Sequence, residues 1–310
     1  MRKRSIDPVG LGEKYSSITK RVINKDGTFN VEKKGISFSF RDAYQYLINI
    51  TWPKFFVLIL LLYFLTNLIF ATLYFINGSD YLVEIRNGSN ADTFFNAFFF
   101  SVQTLTTVGY GKIAPVGLYS NIIASFEAMT GLMSFALITG LLYGRFSRPS
   151  TRILYSEKAI VAPYNNINAL MFKIANQRRN NLMELEASML LVLIDKAENN
   201  FNRQYFNLKL ERTSVYFFPL TWTIVHPIDD DSPFKGMKIE DFKSMSAEIL
   251  ILIKGFDDTF SQIVHSRYSY TMDEIVWGAR FTPSFHIEDN GEIIFDLNNV
   301  HKYELAELNS

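Results

Sequence analysis

Cysteine is absent from all 310 residues, which excludes disulfides, zinc–thiolate sites and thiol catalysis. Net charge is absent too: 31 Lys and Arg balance 31 Asp and Glu. A neutral chain lacks the basic surface that nucleic-acid binding requires, so no nucleic-acid partner is expected. There is no Gly-rich loop to cradle phosphates, no Ser/His/Asp arrangement and no internal repeat, so nothing points to an enzyme. The most informative absence is local. No charged residue occurs from Phe55 to Ser79, from Thr93 to Gly111, or from Ala128 to Gly144, whereas charges recur throughout after about residue 150. This pattern describes a membrane part followed by a water-soluble part, and the length suggests about two domains. The first forty residues are polar, and the first apolar run is too long and too far in for a cleavable signal peptide.

Against these absences stand many aromatics, 28 Phe and 16 Tyr. Residues 1–40 are basic and turn-rich, either a solvated tail or a partly ordered strand packed on the soluble part. Residues 41–52 mix Ala43, Tyr44, Leu47, Ile48 and Ile50 with Arg41, Asp42, Gln45 and Asn49, the pattern of an amphipathic helix lying along the membrane interface. Pro53 suits the first turn of the next helix. Phe55 to Ile76 then spans roughly 33 Å, enough for the hydrocarbon core. Thr93 to Thr104 is apolar but too short to cross and suits a re-entrant helix. Leu118 to Gly144 is a second span. Lys and Arg flank both spans on the side of the termini, so both termini are expected in the cytoplasm of a multi-pass cell-membrane protein. From Ile153 onward, short β-branched runs alternate with turn signals such as Asp289-Asn290-Gly291. That spacing predicts an antiparallel β-sandwich.

Between the two apolar blocks lies Thr104-Leu105-Thr106-Thr107-Val108-Gly109-Tyr110-Gly111. Thr-Val-Gly-Tyr-Gly is the sequence with which potassium-selective pores replace an ion's hydration shell by main-chain oxygens. Thr107, Val108, Gly109 and Tyr110 each offer a carbonyl, and Thr107 adds a hydroxyl. Turning successive carbonyls the same way needs alternating backbone handedness, which glycine permits without steric cost. Non-helical backbone at this depth must line water or be buried in protein. One chain supplies a quarter of such a ring, so a homotetramer is expected. Permeant K+ at Thr107–Gly111 is the expected ligand, with no organic cofactor.

The chain as a whole resembles the inward-rectifier-type potassium channels, most closely their prokaryotic branch. The residues that carry the resemblance are Phe99-Phe100-Ser101-Val102-Gln103-Thr104 running into the filter and Tyr143-Gly144-Arg145-Phe146-Ser147-Arg148-Pro149 after the second span. Two soluble signatures join them, Thr223-Ile224-Val225-His226-Pro227-Ile228-Asp229-Asp230-Asp231-Ser232-Pro233 and Asp273-Glu274-Ile275-Val276-Trp277-Gly278. The resemblance implies a membrane α and cytoplasmic all-β architecture. Two transmembrane helices with a re-entrant pore helix and filter would precede an immunoglobulin-like sandwich. The corresponding divisions are an N-terminal segment (1–40), an interfacial helix (41–52), a pore domain (53–148) and a regulatory β-sandwich (149–310). Three departures stand out. Animal members carry a cysteine pair flanking the pore, and this chain has none. They pair a pore-helix glutamate with an arginine beyond the filter, where this chain has Gln103 and Lys112. Strong rectifiers place an acid facing the cavity, where this chain has Phe135.

Leu132, Phe135, Thr139 and Tyr143 recur at helical spacing. Together with Thr106 they are expected to line the cavity below the filter, with Tyr143 at a constriction that closes by dewetting. Gly131 is a candidate hinge or packing site, and Gly140 reads as packing. Glu127 is the only acid within the second span and, like Gln103, a candidate support for the filter. Lys54, Arg145, Arg148 and Arg152 fit either ordinary positive flanks or a site for anionic phospholipid or phosphoinositide. The four histidines, His226 among them, read as structural. Rival readings are a weakly selective cation pore and a membrane-anchored β-sandwich sensor whose pore does not conduct.

Overall fold

One short strand, four helices and then the remaining strands follow one another among the residues that the computed structural model describes, which are 10, 14–15, 21–32, 34–35, 40–76, 89–147, 152–197, 200–238, 240–241 and 246–309. Helix α1 covers Phe40–Asn49 and α2 Trp52–Ile76. The sequence suggested one interfacial helix through Trp52; instead the chain breaks at Ile50–Thr51, and Trp52 opens the spanning helix. Pro53 explains the break. It lacks the N–H that a continuous helix would bond to the carbonyl of Asn49, and its ring clashes there, so it interrupts a helix running through it but is tolerated in the first turn of a new one. The 25 residues of α2 extend about 38 Å.

Helix α3 covers Asn90–Leu105, beginning three residues before the apolar run. Ser89 and Asp92 form a reciprocal capping box: the Ser89 N–H donates to Asp92 (3.0 Å) and the Asp92 N–H donates to the Ser89 hydroxyl (3.3 Å). Helix α4 covers Gly117–Phe146, and its 30 residues extend about 45 Å. Its buried positions Ser120, Ile123, Glu127 and Gly131 form one stripe. The polar connection between the spans (77–88) and Arg148 lie outside the described residues.

The chain divides into two compact units, Gly35–Arg148 and Met1–Lys34 with Pro149–Ser310. The second is built from β1 (Lys14–Tyr15), β2 (Ile153–Tyr155), β3 (Ala159–Tyr164), β4 (Ile167–Asn176), β5 (Leu182–Ala197), β6 (Asn200–Asn207), β7 (Ser214–Phe217), β8 (Thr221–Pro227), β9 (Ala247–Asp257), β10 (Gln262–Thr271), β11 (Ile275–Trp277), β12 (Ala279–Phe281), β13 (Phe285–Ile287), β14 (Ile293–Phe295) and β15 (Tyr303–Leu305). One sheet runs β1-β6-β5-β9-β10, with β7 also on β5; the other runs β11-β3-β4-β2, with β8 on β4. Leu170, Phe172, Ile174 and Ile224 of one sheet meet Leu191, Ile249, Ile251 and Ile253 of the other in a shared core, as a sandwich requires.

Two features depart from the sequence expectation. Strand β11 pairs parallel with β3, and the run Ile275–Phe281 is split at Gly278, whose φ of 71° breaks the strand. The apolar run Ile249-Leu250-Ile251 also has a structural cause: it is buried on both faces. Ile249 and Ile251 enter the core, while Leu250 packs beneath Val22 and Ile23 of the N-terminal segment.

Candidate pore and its supports

Helix α3 ends with carbonyls that have no helical partner, and the residues that follow supply the missing amides. Thr107 N–H donates to the Thr104 carbonyl (3.0 Å), and the Gln103 carbonyl accepts from both Val108 N–H (3.0 Å) and Gly109 N–H (3.3 Å). Gln103 therefore meets residues 108 and 109 through its main-chain oxygen. The backbone then alternates. Thr107, Gly109 and Gly111 have φ of 59°, 55° and 78°, whereas Val108 and Tyr110 between them are not at positive φ. For Thr107 this is a strained position, worth about 1–3 kcal/mol, and such strain concentrates at functional sites. Residues 106–111 are exposed within the single chain.

Of the expected cavity residues, Leu132, Phe135, Thr139 and Tyr143 share one face of α4, apart from its buried stripe, and Thr106 caps α3. Leu132, Phe135 and Tyr143 are 62%, 73% and 75% exposed, so this apolar face has no partner within one chain. The hydroxyls of Thr139 and Thr106 bond back to the carbonyls four residues earlier, Phe135 (2.8 Å) and Val102 (2.7 Å).

Glu127 lies on the other face and is fully buried. Tyr74 of α2 donates its hydroxyl to Glu127 Oε2 (2.7 Å), and Ser101 of α3 donates to Glu127 Oε1. Asn67 Oδ1 stands 3.1 Å from the same serine oxygen. One turn further along α4, Gly131 meets the pore helix directly: a Cβ built there would lie 2.0 Å from the Leu105 carbonyl oxygen. Gly131 is thus a packing glycine in this fold. Gly140, read from sequence as packing, has nothing within 4 Å of such a Cβ in the chain.

The basic residues separate by role. Arg145 donates to the carbonyls of Leu47, Ile48 (3.1 Å) and Ile50 (2.7 Å) at the end of α1. Its guanidinium carbon also lies 4.5 Å from the Trp52 ring centre and 4.4 Å from that of Phe55. It satisfies orphan carbonyls at a helix C-terminus, where a cation is favoured. Lys54 and Arg152 are exposed.

In the soluble unit, His226 is buried, with Nδ1 2.6 Å from the Lys209 carbonyl and Nε2 2.9 Å from the Ser232 hydroxyl. Burial holds it below the ordinary histidine range, against the opposing Lys209 hydrogen bond. It pins the Asp-rich turn, a structural role.

The profile of the inward rectifier potassium channel C-terminal domain matches residues 153–309, and a general ion-channel profile matches 58–148. The inward rectifier potassium channel Kirbac3.1 of Paramagnetospirillum magnetotacticum is 35% identical over 94% of this chain and 98% of its own length. The chain belongs to the inward rectifier potassium channel family. As a member it is a transmembrane potassium channel protein and not an enzyme. The G protein-activated inward rectifier potassium channel 2 of Homo sapiens is 26% identical over 93% of this chain and 73% of its own. Among solved structures, Pseudomonas fluorescens alkylpurine DNA glycosylase AlkC overlays with 10% identity and a TM-score of 0.19. That overlay covers 58% of this chain and 47% of that one, and carries no argument.

Sequence reading singled out Glu127 and Gly131 but missed their partners. Tyr74, Ser101 and Asn67 are ordinary members of apolar helices, and only their meeting in space distinguishes them. The Ser89–Asp92 cap was legible as a serine followed three residues later by an acid.

Proposed function

We propose that four copies of this inward rectifier assemble around one axis and pass K+ passively down its electrochemical gradient. Thr107, Val108, Gly109 and Tyr110 present carbonyls to the ion, Thr107 adds its hydroxyl, and Gly111 completes the filter. The observation that carries this reading is the alternation of positive φ at Thr107, Gly109 and Gly111. It is joined by the use of the amides of residues 107–109 on the end of the pore helix. With those N–H groups spent behind the strand, the carbonyls are the groups free to replace water around an ion.

Below the filter, Thr106, Leu132, Phe135 and Thr139 line the cavity, and a ring of Tyr143 side chains gates it by excluding water. The exposure of that face in one chain supports its use between copies. Both termini lie in the cytoplasm, following the positive flanks, so the four divisions read from the sequence serve as N-terminal segment, interfacial helix, pore and cytoplasmic regulatory sandwich. Anionic phospholipid or phosphoinositide acts on the basic residues Lys54, Arg148 and Arg152. Arg145 contributes by tying α1 to α4.

Purified full-length protein in liposomes containing anionic lipid tests this. K+ flux is expected to exceed Na+ flux and to be blocked by barium. Gly109→Ala is expected to abolish it, because a side chain in left-handed backbone costs about 1–2 kcal/mol per subunit. Tyr143→Ala is expected to raise it. Equal K+ and Na+ permeability overturns the selectivity reading, and unchanged flux in Tyr143→Ala removes that residue from the gate.

A further inference from the structure

Near the filter the pore helix carries Gln103, an uncharged residue, and Lys112 follows the filter. No carboxylate of that end of the pore helix can therefore brace the filter. We propose that the inner helix supplies the bracing carboxylate: Glu127 pins the pore helix through Ser101 and thereby sets the geometry of the filter. The inference rests on the conduction reading above and gives that same filter a positioning residue.

The first support is the side of α4 from which Glu127 projects. It falls on the buried stripe with Ser120, Ile123 and Gly131, away from the exposed face of Leu132, Phe135 and Tyr143. It is therefore placed to act on the subunit's own pore helix and not on a permeating ion. The second support is cost. A carboxyl group buried within a span is expensive unless partners meet it. Here both oxygens are met, one by Tyr74 of α2 and one by Ser101 of α3. Asn67 of α2 adjoins the Ser101 hydroxyl, and Tyr74 also packs edge-on against Phe100 at 5.0 Å. Three helices meet at one carboxyl group.

The third support is the short mechanical path to the filter. Ser101 stands two residues before Gln103, the residue whose carbonyl anchors the amides of Val108 and Gly109. A turn beyond Glu127, the Gly131 backbone bears on Leu105. Helix α4 thus holds α3 at two levels, a hydrogen bond at Ser101 and close contact at Leu105. Two points of contact set both the depth and the rotation of the helix from which residues 107–109 hang. Releasing the first leaves the pore helix free to turn about the second, and the carbonyl spacing of the filter changes with it.

The test measures relative K+ and Na+ permeability of the full-length channel in liposomes. That ratio does not depend on how many channels are folded, which a purely structural role would alter. Ser101→Ala and Glu127→Leu are each expected to lower the K+/Na+ ratio by about tenfold, the equilibrium weight of one ordinary hydrogen bond. Glu127→Gln keeps an oxygen for the Ser101 hydroxyl and is expected to restore most of the ratio. If Glu127→Leu fails to assemble, Ser101→Ala decides, since it removes one hydroxyl and adds no volume. A wild-type ratio in Ser101→Ala overturns the brace, as does an equal loss of both fluxes. Absence of K+ flux from the unaltered protein would instead sink the conduction reading itself.

Discussion

Gly131 is where a single atom decides the pore domain. A methyl group added there would fall 2.0 Å from a main-chain oxygen of Leu105, which no rotamer change relieves. Either the inner helix or the pore helix must move, and overpacking of this kind costs about 1–3 kcal/mol. Gly131→Ala is accordingly expected to lower the thermal midpoint of detergent-solubilised channel by several degrees. An unchanged midpoint would mean that the two backbones do not approach as closely as the structure places them. The same contact argues against a hinge at this position, because bending there separates α4 from the residue that precedes the filter. Sequence offered packing and hinge with equal weight, since a glycine in an apolar helix is compatible with both. The deciding neighbour lies 26 positions away in the chain, at Leu105.

At the scale of elements, the N-terminal segment is held on the sandwich by two buried or half-buried acids. Glu248 accepts from the main-chain N–H of Val22 (2.6 Å) and Ile23 (3.2 Å), and the Ser269 hydroxyl donates to the Ile23 carbonyl (2.7 Å). Glu274 pairs with Arg21 and, at 2.6 Å, with Lys25. Burial pushes the Glu274 carboxyl up, but the Lys25 hydrogen bond, the Thr271 amide and Arg21 outweigh it and leave it below the ordinary range. The hydrogen bond to Glu274 raises Lys25 against its own desolvation. A depressed carboxyl contributes stability above its unfolded pKa and loses it as pH falls through the folded value. A raised lysine contributes below its unfolded pKa and loses it as pH rises through the folded value. Attachment of residues 21–32 should therefore be firm from about pH 5 to about pH 10 and weaken on either side. Hydrogen exchange at Val22 and Ile23, corrected for intrinsic rates, is expected to show protection falling as the solution is acidified below about pH 4. Glu274→Gln is expected to weaken protection at neutral pH and flatten that acid limb. Protection in Glu274→Gln equal to wild type would show that Glu248 alone retains the segment.

At the scale of the whole molecule, one chain leaves two apolar helix faces bare. The outer surface of α2 exposes Leu60, Leu61, Leu62 and Phe64, as a lipid-facing helix does. The Leu132–Tyr143 face of α4 is equally exposed, and the proposed assembly buries it around an aqueous path. Native mass measurement in detergent is expected to give four chains per particle. A stable monomer or dimer would leave the filter residues without the oxygens of neighbouring copies and would exclude the conduction scheme.

Much of this architecture was legible in the residues because its signals are local. Charge-free runs of spanning length, a glycine-punctuated filter motif and period-two β-branched strands each act through backbone geometry or solvation of a contiguous segment. These determined the spans, the class of the soluble part and the family resemblance. Tertiary structure decided which face each side chain serves. Arg145, read as a positive flank or lipid contact, caps α1 because the helix end it reaches lies about a hundred residues earlier in the chain, at Leu47 to Ile50. Glu127 turns from the exposed Leu132–Tyr143 face because its partners Tyr74 and Ser101 sit on two other helices. The basic N-terminal stretch meets the sandwich because Glu248 and Glu274, remote in sequence, converge beneath it. Pairings across such separations depend on how elements pack, and a periodic pattern within one element carries no record of its neighbours.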